Sequence, residues 1–522
     1  MRRSFASILP AGLVVVLLTW SPCAPAAEPG VAVEALQAEI DAILAAADLG
    51  KTTVAVHAVA LAAPPDHARN DVLYALRPDV PLIPASTMKL VTTAACFDRL
   101  GPGWRIRTHV GRIPAPKQKG KWDLAVIGGK QKGKWDLAVI GGGDPNFSGR
   151  FWGGDTVGAF RRWAEILKSR GATAVERVLL DDTLFDAVRV HPSWPANQRA
   201  EWYEAPAGAL SINDNCVDVH VAPGKVGGPA RVWVEPPGGI ARVTGEILTV
   251  ADRKAHRFSL ERVVDGQGLA IRADGRYWSQ APEVVEFRTL DDPTRAFGAA
   301  LVHTLRSSGI AVAGPAVRAR LAAPDGAARS DFVCDLVHAS RLGATVTVAN
   351  KRSQGMYAEC LLKLLGAYAL TPHVTAPLPP RQGSWESGTE EVRRWLGERG
   401  VPSAGCVFDD GSGLSRENRL TAFTVTHLLG LMHRLHGPQW VQTLAAAGQD
   451  GSLDKRMDGT AAEGRVYGKT GYIRGVSALS GYVYAASGRV IAYAILMNNL
   501  PSGALWKARV AQDKICVRLV DF

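Results

Sequence analysis

The heptapeptide PASTMKL at residues 84–90 places a serine and a lysine three positions apart. Three residues is close to one helical turn, so a helix here would bring Ser86 and Lys89 together on one face. Apolar residues continue at helical spacing to residue 95 and Gly101 supplies a stop, which predicts a helix that begins at Ser86. The amide N–H groups at that end favour developing negative charge. This segment therefore predicts a nucleophilic serine at a helix N-terminus.

Lys89 is the candidate base for that nucleophile. A serine hydroxyl is weakly nucleophilic near neutral pH and needs a neutral amine or imidazole to take its proton. Lys89 would supply a neutral amine if burial depressed its pKa. Ser-x-x-Lys is a short pattern, however, and residues 452–455 (SLDK) also match it. The choice of Ser86 therefore depends on the motifs that accompany it.

A second motif, GKTG at residues 468–471, stands just ahead of two apolar runs at 476–484 and 490–497 that predict an antiparallel hairpin. A nucleotide-binding phosphate loop would need one more residue between its glycines and a helix after it. This segment has a shorter spacing and strand-like residues after it. On a strand edge, Lys469 and Thr470 would instead offer a cation and a hydroxyl donor to a substrate carboxylate.

The third motif is SQG at residues 353–355, just before a segment of helix-forming composition at 357–366. Taken alone, Ser353 is a candidate helix N-cap. The chain therefore carries Ser86-x-x-Lys89, then Ser353, then Lys469-Thr470-Gly471. Penicillin-recognising serine enzymes carry three motifs of these types in the same order along the chain. The chain contains no H-E-x-x-H, G-x-S-x-G or G-x-G-x-x-G pattern that would compete with this interpretation.

Residues from about 105 to 330 form a β-rich region between the first two catalytic motifs. Short apolar or alternating runs separated by Gly, Pro and Asp predict strands at 105–110, 217–221 and 231–234. Helical patterns are predicted at 293–308, at 357–366 and from about Thr421 onward. Helices at both ends of the chain and the late hairpin predict an α+β domain that this region interrupts.

With these motifs the sequence resembles the class C low-molecular-mass penicillin-binding proteins, the D-alanyl-D-alanine carboxypeptidase and endopeptidase family. The resemblance covers nearly the whole chain after residue 27, including residues 205–215 (APAGALSINDN) and 410–416 (DGSGLSR). It implies an α+β, penicillin-binding/β-lactamase-like catalytic domain made of residues 28–105 and 330–522. It also implies that residues 106–329 form a β-rich insert of two accessory domains.

The resemblance implies catalytic roles for Ser86, Lys89, Ser353 and Lys469. Lys89, beside Lys469, would deprotonate Ser86, which would attack the carbonyl of the penultimate D-alanine of a peptidoglycan stem peptide. The backbone N–H groups of Ser86 and Tyr472 would form the oxyanion hole. Ser353 would pass the proton to the leaving D-alanine, and water would then release the acyl-enzyme. β-Lactams would act as inhibitors.

The resemblance also assigns substrate-binding residues, and it implies no metal and no cofactor. These residues are Thr470, Gly471, Tyr472, Gly355 and Arg416. Gly355 stands where the family has an asparagine that binds the substrate amide. Gln198 stands where an acidic residue is expected shortly before Tyr203. These departures leave one alternative, a peptidoglycan-binding protein with a weakened or inactive site. A β-lactamase is a weaker alternative, because the sequence identifies no deacylating glutamate.

The N-terminal 27 residues predict an exported protein of the periplasm or cell envelope. They begin with Met-Arg-Arg, continue through an apolar stretch at 8–18 and reach a small-residue cleavage site at 24–27. That stretch is too short to span a membrane. A lipid anchor at Cys23 is the alternative, although its flanking residues do not resemble a lipid-attachment signal. The remaining six cysteines are scattered and predict neither a zinc site nor a disulfide scaffold.

The composition is that of a basic globular protein. The chain is 47% hydrophobic and 21% charged, and its formal net charge is +11 at pH 7. Its length of 522 residues predicts two or three domains. For an exported protein, a basic surface favours wall polymers or membrane surfaces over nucleic acid. A solvated surface without a polyanionic partner accounts for the charge equally well.

The segment KQKGKWDLAVIGG occurs twice in tandem, at 117–129 and at 130–142. A single duplication does not make a solenoid. The second copy continues into the Gly-Asp-Pro sequence at 143–145, so we expect it to supply a strand and the first copy to be looped out.

Deletion of residues 117–129 should therefore leave the midpoint of thermal unfolding unchanged or slightly raised, because a longer loop costs entropy on closure. Differential scanning calorimetry of the full chain and the deletion variant measures this. A large fall in the midpoint would show that both copies are part of the fold.

Overall fold

A computed structural model describes residues 29–62, 71–115, 135–323, 325–373, 376, 378–379 and 381–522. The first copy of the tandem repeat and the expected export signal lie outside these residues. Within them, no helix combines the length and the apolar character needed to cross a membrane. The six cysteines in this part of the chain are all unpaired.

The described residues form nine α-helices, which fall mainly at the two ends of the chain. They are α1 (Pro29–Ala46), α2 (Met88–Leu100), α3 (Gly158–Ser169), α4 (Pro293–Ser307), α5 (Leu342–Lys351), α6 (Gly355–Tyr368), α7 (Trp385–Glu398), α8 (Ala422–Val441) and α9 (Leu505–Val520).

The described strands are more numerous and mostly belong to the middle of the chain. They are β1 (Thr53–Ala60), β2 (Asp71–Leu76), β3 (Arg105–Pro114), β4 (Trp135–Ile140), β5 (Ala174–Val175), β6 (Val178–Asp181), β7 (Cys216–Ala222), β8 (Arg231–Glu235), β9 (Arg242–Val250), β10 (Arg257–Asp265), β11 (Gly268–Trp278), β12 (Val284–Thr289), β13 (Ala311–Val312), β14 (Ala316–Arg318), β15 (Val333–Arg341), β16 (Ala445–Ala446), β17 (Val466–Ile473), β18 (Val476–Tyr484) and β19 (Val490–Asn498).

A six-stranded antiparallel sheet joins the two ends of the chain, in the order β16-β17-β18-β19-β1-β2. Apolar side chains of α1 and α9 cover one face of this sheet. The other face packs against a cluster that includes α2 and α5 to α8. Helices on both faces explain why β18 and β19 are almost continuously buried.

The region between the catalytic motifs contains a five-stranded sheet in the order β14-β6-β4-β3-β15 and two three-stranded sheets, β12-β7-β8 and β10-β11-β9. Side chains of β4 alternate between two cores. Ala138 and Ile140 pack with the catalytic helices, whereas Leu137 and Val139 pack with α3 and α4. The five-stranded sheet is therefore the layer between the catalytic core and the accessory core.

The insert leaves and rejoins the catalytic helices at one place. β3 begins soon after α2 and pairs in antiparallel register with β15, which runs directly into α5. The N–H of Leu342 donates to the carbonyl of Trp104 at 2.9 Å and closes this junction. β15 thus pairs within the insert's sheet, whereas the predicted second catalytic segment begins at residue 330.

The α+β class and the interrupted catalytic domain are confirmed. The helices expected at 293–308, at 357–366 and from Thr421 are present, and the late hairpin has the predicted bounds to within one residue. The second repeat copy supplies β4. The helix α3 was not predicted, although apolar residues at 160, 163, 164 and 167 have helical spacing.

Candidate active site

Ser86 lies at the N-terminus of α2, as the sequence predicts. A short 3₁₀ turn over Ala85–Thr87 leads directly into this helix. The Thr87 hydroxyl donates to the carbonyl of Pro84 at 2.6 Å. Ala85 has a positive φ of 47°, which is unusual for a residue with a side chain. Ser86 is therefore presented on a constrained turn at the positive end of a helix dipole.

The amine of Lys89 is buried directly beneath Ser86. Its Nζ donates to Ser86 Oγ at 3.0 Å and to the backbone carbonyl of Ser412 at 2.7 Å. Burial lowers the pKa of Lys89 to about 8, although the negative charges of Glu359 and Asp410 oppose that shift. A substantial fraction of Lys89 is thus neutral near physiological pH, as a general base requires.

Two buried carboxylates hold the loop that carries Ser412. Glu359 accepts the N–H groups of Gly411 at 2.9 Å and Ser412 at 2.8 Å. Asp410 accepts the N–H groups of Gly413 and Ser415, each at 2.7 Å. Burial, reinforced by the neighbouring Asp410 charge, raises the pKa of Glu359 to about 7.

Glu359 was not identified from the sequence. The available signal was a lone acidic residue in the apolar run of α6, where every residue of the helix is buried. A buried carboxylate needs hydrogen-bond donors, and such a position predicts a partner elsewhere in the fold.

Lys469 lies on β17 with its amine fully buried, and it reaches Ser353. Its Nζ donates to Ser353 Oγ at 2.8 Å and to the carbonyl of Thr470 at 2.7 Å. Burial lowers the pKa of Lys469 well below its usual value, and the Lys89 charge lowers it further. Ser353 precedes α6 with a positive φ of 57°, and the N-cap position belongs to Gln354 rather than to Ser353.

Thr470 is oriented by a residue from the competing Ser-x-x-Lys match. Its Oγ1 donates to Ser452 Oγ at 2.9 Å. Ser452 therefore belongs to the same site, but as a partner of Thr470 and not as a second nucleophile–lysine pair. Sequence spacing alone gave no indication of this contact.

Gly471 allows β17 to approach the turn that carries Ser86. A Cβ atom at this position would lie 2.7 Å from the carbonyl oxygen of Pro84 and 3.2 Å from the backbone nitrogen of Ser86. The first distance is well inside van der Waals contact, so a side chain would push the strand away from Ser86. β16 pairs with β17 only at Tyr467 and Gly468. The rest of this edge of β17 therefore faces the site.

A cleft of about 430 Å³ opens over these groups. Of the predicted site residues, it is lined by Ser86, Lys89, Ser353, Gly355, Arg416, Thr470 and Tyr472. Arg416 donates from Nη1 to the carbonyl of Arg474 at 3.0 Å. Both arginines are exposed and line the cleft, as does Gln198 at the position where the resemblance predicts an acid. The structure brings all the predicted site residues together.

Gly355 faces the backbone of Tyr203. A Cβ atom on Gly355 would lie 3.0 Å from the Tyr203 carbonyl oxygen and 3.8 Å from Cβ of Ser412. A side chain therefore fits only if the Tyr203 backbone moves by a few tenths of an ångström. The Tyr203 carbonyl therefore occupies part of the space that an asparagine side chain at position 355 would need.

A serine–lysine pair at a helix N-terminus, facing a Lys-Thr-Gly strand across a cleft, is the arrangement of the penicillin-recognising serine peptidases. Among the described residues, no group of three or more His, Cys, Asp or Glu side chains could hold a metal ion. Residues 36–519 match the D-Ala-D-Ala carboxypeptidase 3 (S13) family. The chain belongs to this family and is a serine-type D-Ala-D-Ala carboxypeptidase.

Characterised relatives agree with this assignment. The chain is 32% identical over 534 residues to the D-alanyl-D-alanine carboxypeptidase of Actinomadura sp. (strain R39), covering 100% of this chain and 91% of the relative. It is 24% identical over 355 residues to D-alanyl-D-alanine carboxypeptidase DacB of Haemophilus influenzae, covering 65% of this chain and 68% of that protein. The crystal structure of penicillin binding protein 4 from H. influenzae has the same fold, with a TM-score of 0.70 at 20% identity over 91% of this chain and 99% of that one.

The Gly355 contact leads to a paired test with Gly355→Asn and Gly355→Ala. Both variants add the Cβ atom that approaches Tyr203, but only asparagine supplies an amide for the substrate. An amide hydrogen bond contributes roughly 1 kcal/mol or more, so we expect the Asn variant to exceed the Ala variant about tenfold in kcat/KM.

Release of D-alanine from diacetyl-Lys-D-Ala-D-Ala measures this ratio, with thermal unfolding as the check that both variants fold. We also expect the kcat/KM of Gly355→Asn to exceed that of the wild type, by a smaller factor than it exceeds that of Gly355→Ala. Equal rates for the two variants would mean that an amide at position 355 has no role in this site.

Proposed function

We propose that the protein cleaves the terminal D-Ala-D-Ala bond of peptidoglycan stem peptides through an acyl-enzyme on Ser86, and that β-lactams acylate the same serine. The observation that carries this proposal is the hydrogen bond from the buried Lys89 amine to Ser86 Oγ at 3.0 Å. An amine with a pKa of about 8 is neutral in a far larger fraction near neutral pH than an exposed lysine is, so it is more often able to accept the serine proton.

In the first step, neutral Lys89 accepts the Ser86 proton as Oγ attacks the carbonyl carbon of the penultimate D-alanine. The backbone N–H groups of Ser86 and Tyr472 are assigned to the oxyanion, where each donor typically contributes about 3 to 4 kcal/mol. The close approach enforced at Gly471 keeps the strand bearing Tyr472 next to the nucleophile.

In the second step, Ser353, which is hydrogen-bonded to Lys469, gives its proton to the leaving nitrogen. Ser353 receives in turn the proton that Lys89 took from Ser86, so Lys89 becomes neutral again. Thr470 and Lys469 are assigned to the terminal carboxylate of the substrate, toward which the Thr470 hydroxyl would turn its hydrogen from Ser452. Water then hydrolyses the ester and returns Ser86. Carboxypeptidase and endopeptidase action both expel an amine as this acyl-enzyme forms, so the same mechanism applies to both.

The proposed substrate lies outside the cytoplasm, which supports an exported protein of the cell envelope. The formal net charge of +11 supports association with acidic wall polymers or a membrane surface. The intact contacts of Ser86, Lys89, Ser353 and Lys469 favour an enzyme over a wall-binding protein with an inactive site.

Fluorescent penicillin should label the wild-type protein covalently, and peptide mapping should place the adduct on Ser86. Ser86→Ala should remain unlabelled although it folds, because it lacks only the hydroxyl. Absence of label on folded wild type would reject the acyl-enzyme and favour the wall-binding alternative.

The rate of penicillin acylation should rise with pH and level off above a midpoint near pH 8, because only neutral Lys89 accepts the serine proton. Below the midpoint the second-order rate constant should fall about tenfold per pH unit. Stopped-flow measurements between pH 6 and 9.5 test this.

Glu359→Gln provides the matched control for that profile. It removes a negative charge that raises the pKa of Lys89, so the midpoint should move to lower pH. Circular dichroism and thermal unfolding check that the variant folds. A pH-independent rate in wild type would show that Lys89 is not the titrating base.

A further inference from the structure

A second cleft of about 430 Å³ lies beside the active site, at the junction of the catalytic and accessory cores. Its lining includes Arg150, Trp202, Asp218, Phe287 and Gln354. None of these residues takes part in the proposed acyl transfer. The position of the cleft next to the catalytic serine suggests a role in substrate binding.

The two clefts share a wall. Arg352 and Gln354 line the second cleft, whereas the intervening Ser353 and the following Gly355 line the active-site cleft. Trp202 lines both. A substrate that continues past Trp202 from Ser86 would therefore enter the second cleft.

A strained turn contributes Asn213 and Asp214 to the lining of the second cleft. Asn213, Asp214 and Asn215 have consecutive positive φ values of 48°, 55° and 54°. The Asn215 amide stabilises the turn by donating to the carbonyl of Pro206 at 2.7 Å. Backbone strain of this kind concentrates at functional sites, where it fixes the direction of a side chain.

The strained turn is coupled to the catalytic segment through Asp214. Its carboxylate accepts two hydrogen bonds from Arg150, at 2.9 and 2.8 Å, and one from the Gln354 amide at 2.5 Å. Gln354 is the residue next to Ser353. The second cleft is thus preorganised by the same segment that positions a catalytic side chain.

Two aromatic side chains border the cleft and remain open to solvent. Trp202 is 39% exposed and Phe287 is 48% exposed. Phe287 is the cross-strand partner of Asp218 on β7, so the ring and the carboxylate lie side by side. Exposed aromatic faces next to hydrogen-bonding groups suit a ligand with apolar faces and polar edges.

Apart from the exposed Arg352, the polar groups that line the cleft suit a neutral ligand. The charges of Arg150 and Asp214 already neutralise each other. Asp218 accepts from the Asn213 amide at 2.8 Å, and burial raises the pKa of its carboxyl to about 6. Paired amide and carboxyl groups offer hydrogen bonds to the hydroxyl groups of a ligand. A ligand with an amine would instead require a fully ionised carboxylate that has no other partner.

We propose that this second cleft binds a sugar unit of the glycan strand to which the stem peptide is attached. This inference rests on the proposed function, because the peptide end must lie at Ser86 for the sugar to reach the cleft. Three extended residues span roughly 10 Å, which is enough to link two clefts that share one wall.

Hydrolysis of two substrates tests the proposal: a free stem pentapeptide, and the same peptide on its N-acetylglucosaminyl-N-acetylmuramyl disaccharide. Wild type should favour the disaccharide form in kcat/KM by roughly threefold to tenfold, the effect expected of one aromatic contact. Phe287→Ala and Asp218→Asn should lose this preference while retaining the free-peptide rate. Val285→Ala is the matched control, because Val285 is an exposed residue on the same face of β12 and lies outside the cleft lining.

Calorimetric binding of the peptide-free disaccharide supplies a readout that does not require hydrolysis. The disaccharide should bind to the wild type and to Val285→Ala, and it should not bind to Phe287→Ala. This result is expected even if penicillin fails to label Ser86 and the proposed function is thereby rejected. Equal kcat/KM for the two substrates in wild type, or a preference that persists in Phe287→Ala, would overturn the sugar site. A preference shown instead for a sugar-free cross-linked peptide would also overturn it and assign the cleft to a second peptide.

Discussion

Desolvation of the Lys89 amine is the constraint around which the catalytic domain is arranged. An unpaired buried ammonium is strongly unfavourable, so the amine must be either partly neutral or well surrounded by acceptors. The chain provides the Ser412 carbonyl and the Ser86 hydroxyl as acceptors, and it keeps the charges of Glu359 and Asp410 within range. Helix α2, helix α6 and the 410–416 loop meet at this amine. Their relative positions therefore determine its hydrogen bonds and its pKa.

The sequence predicted those parts of the site that depend on local spacing. Ser86 and Lys89 are neighbours because one helical turn joins them, and the hairpin after Lys469 follows from its apolar pattern. Contacts between distant segments left no such signal. The Lys89–Ser412 and Thr470–Ser452 hydrogen bonds, and the close approach at Gly471, depend on tertiary packing. In the sequence, Gly355 indicates that the family's asparagine side chain is absent. It does not indicate that the Tyr203 carbonyl borders that position.

In the accessory region, strand positions were easier to predict than strand partners. A run such as β4 is apolar at nearly every position, and the structure explains this by burial on both faces between two cores. Periodicity carries no information on which strand lies beside it. The parallel pairing of β4 with β6 and of β11 with β9, and the pairing of β3 with β15 across more than 200 residues, are decided by the packing of the whole insert.

The pairing of β3 with β15 has an evolutionary consequence. Because the insert departs and returns on adjacent strands, its two ends stay fixed however long the chain between them becomes. Longer loops within that chain therefore leave the path of the catalytic helices unchanged, provided that strands such as β4, which pack on the catalytic core, are retained. The accessory region can thus grow by insertion without rebuilding the catalytic domain. The tandem repeat at 117–142 falls within this inserted chain.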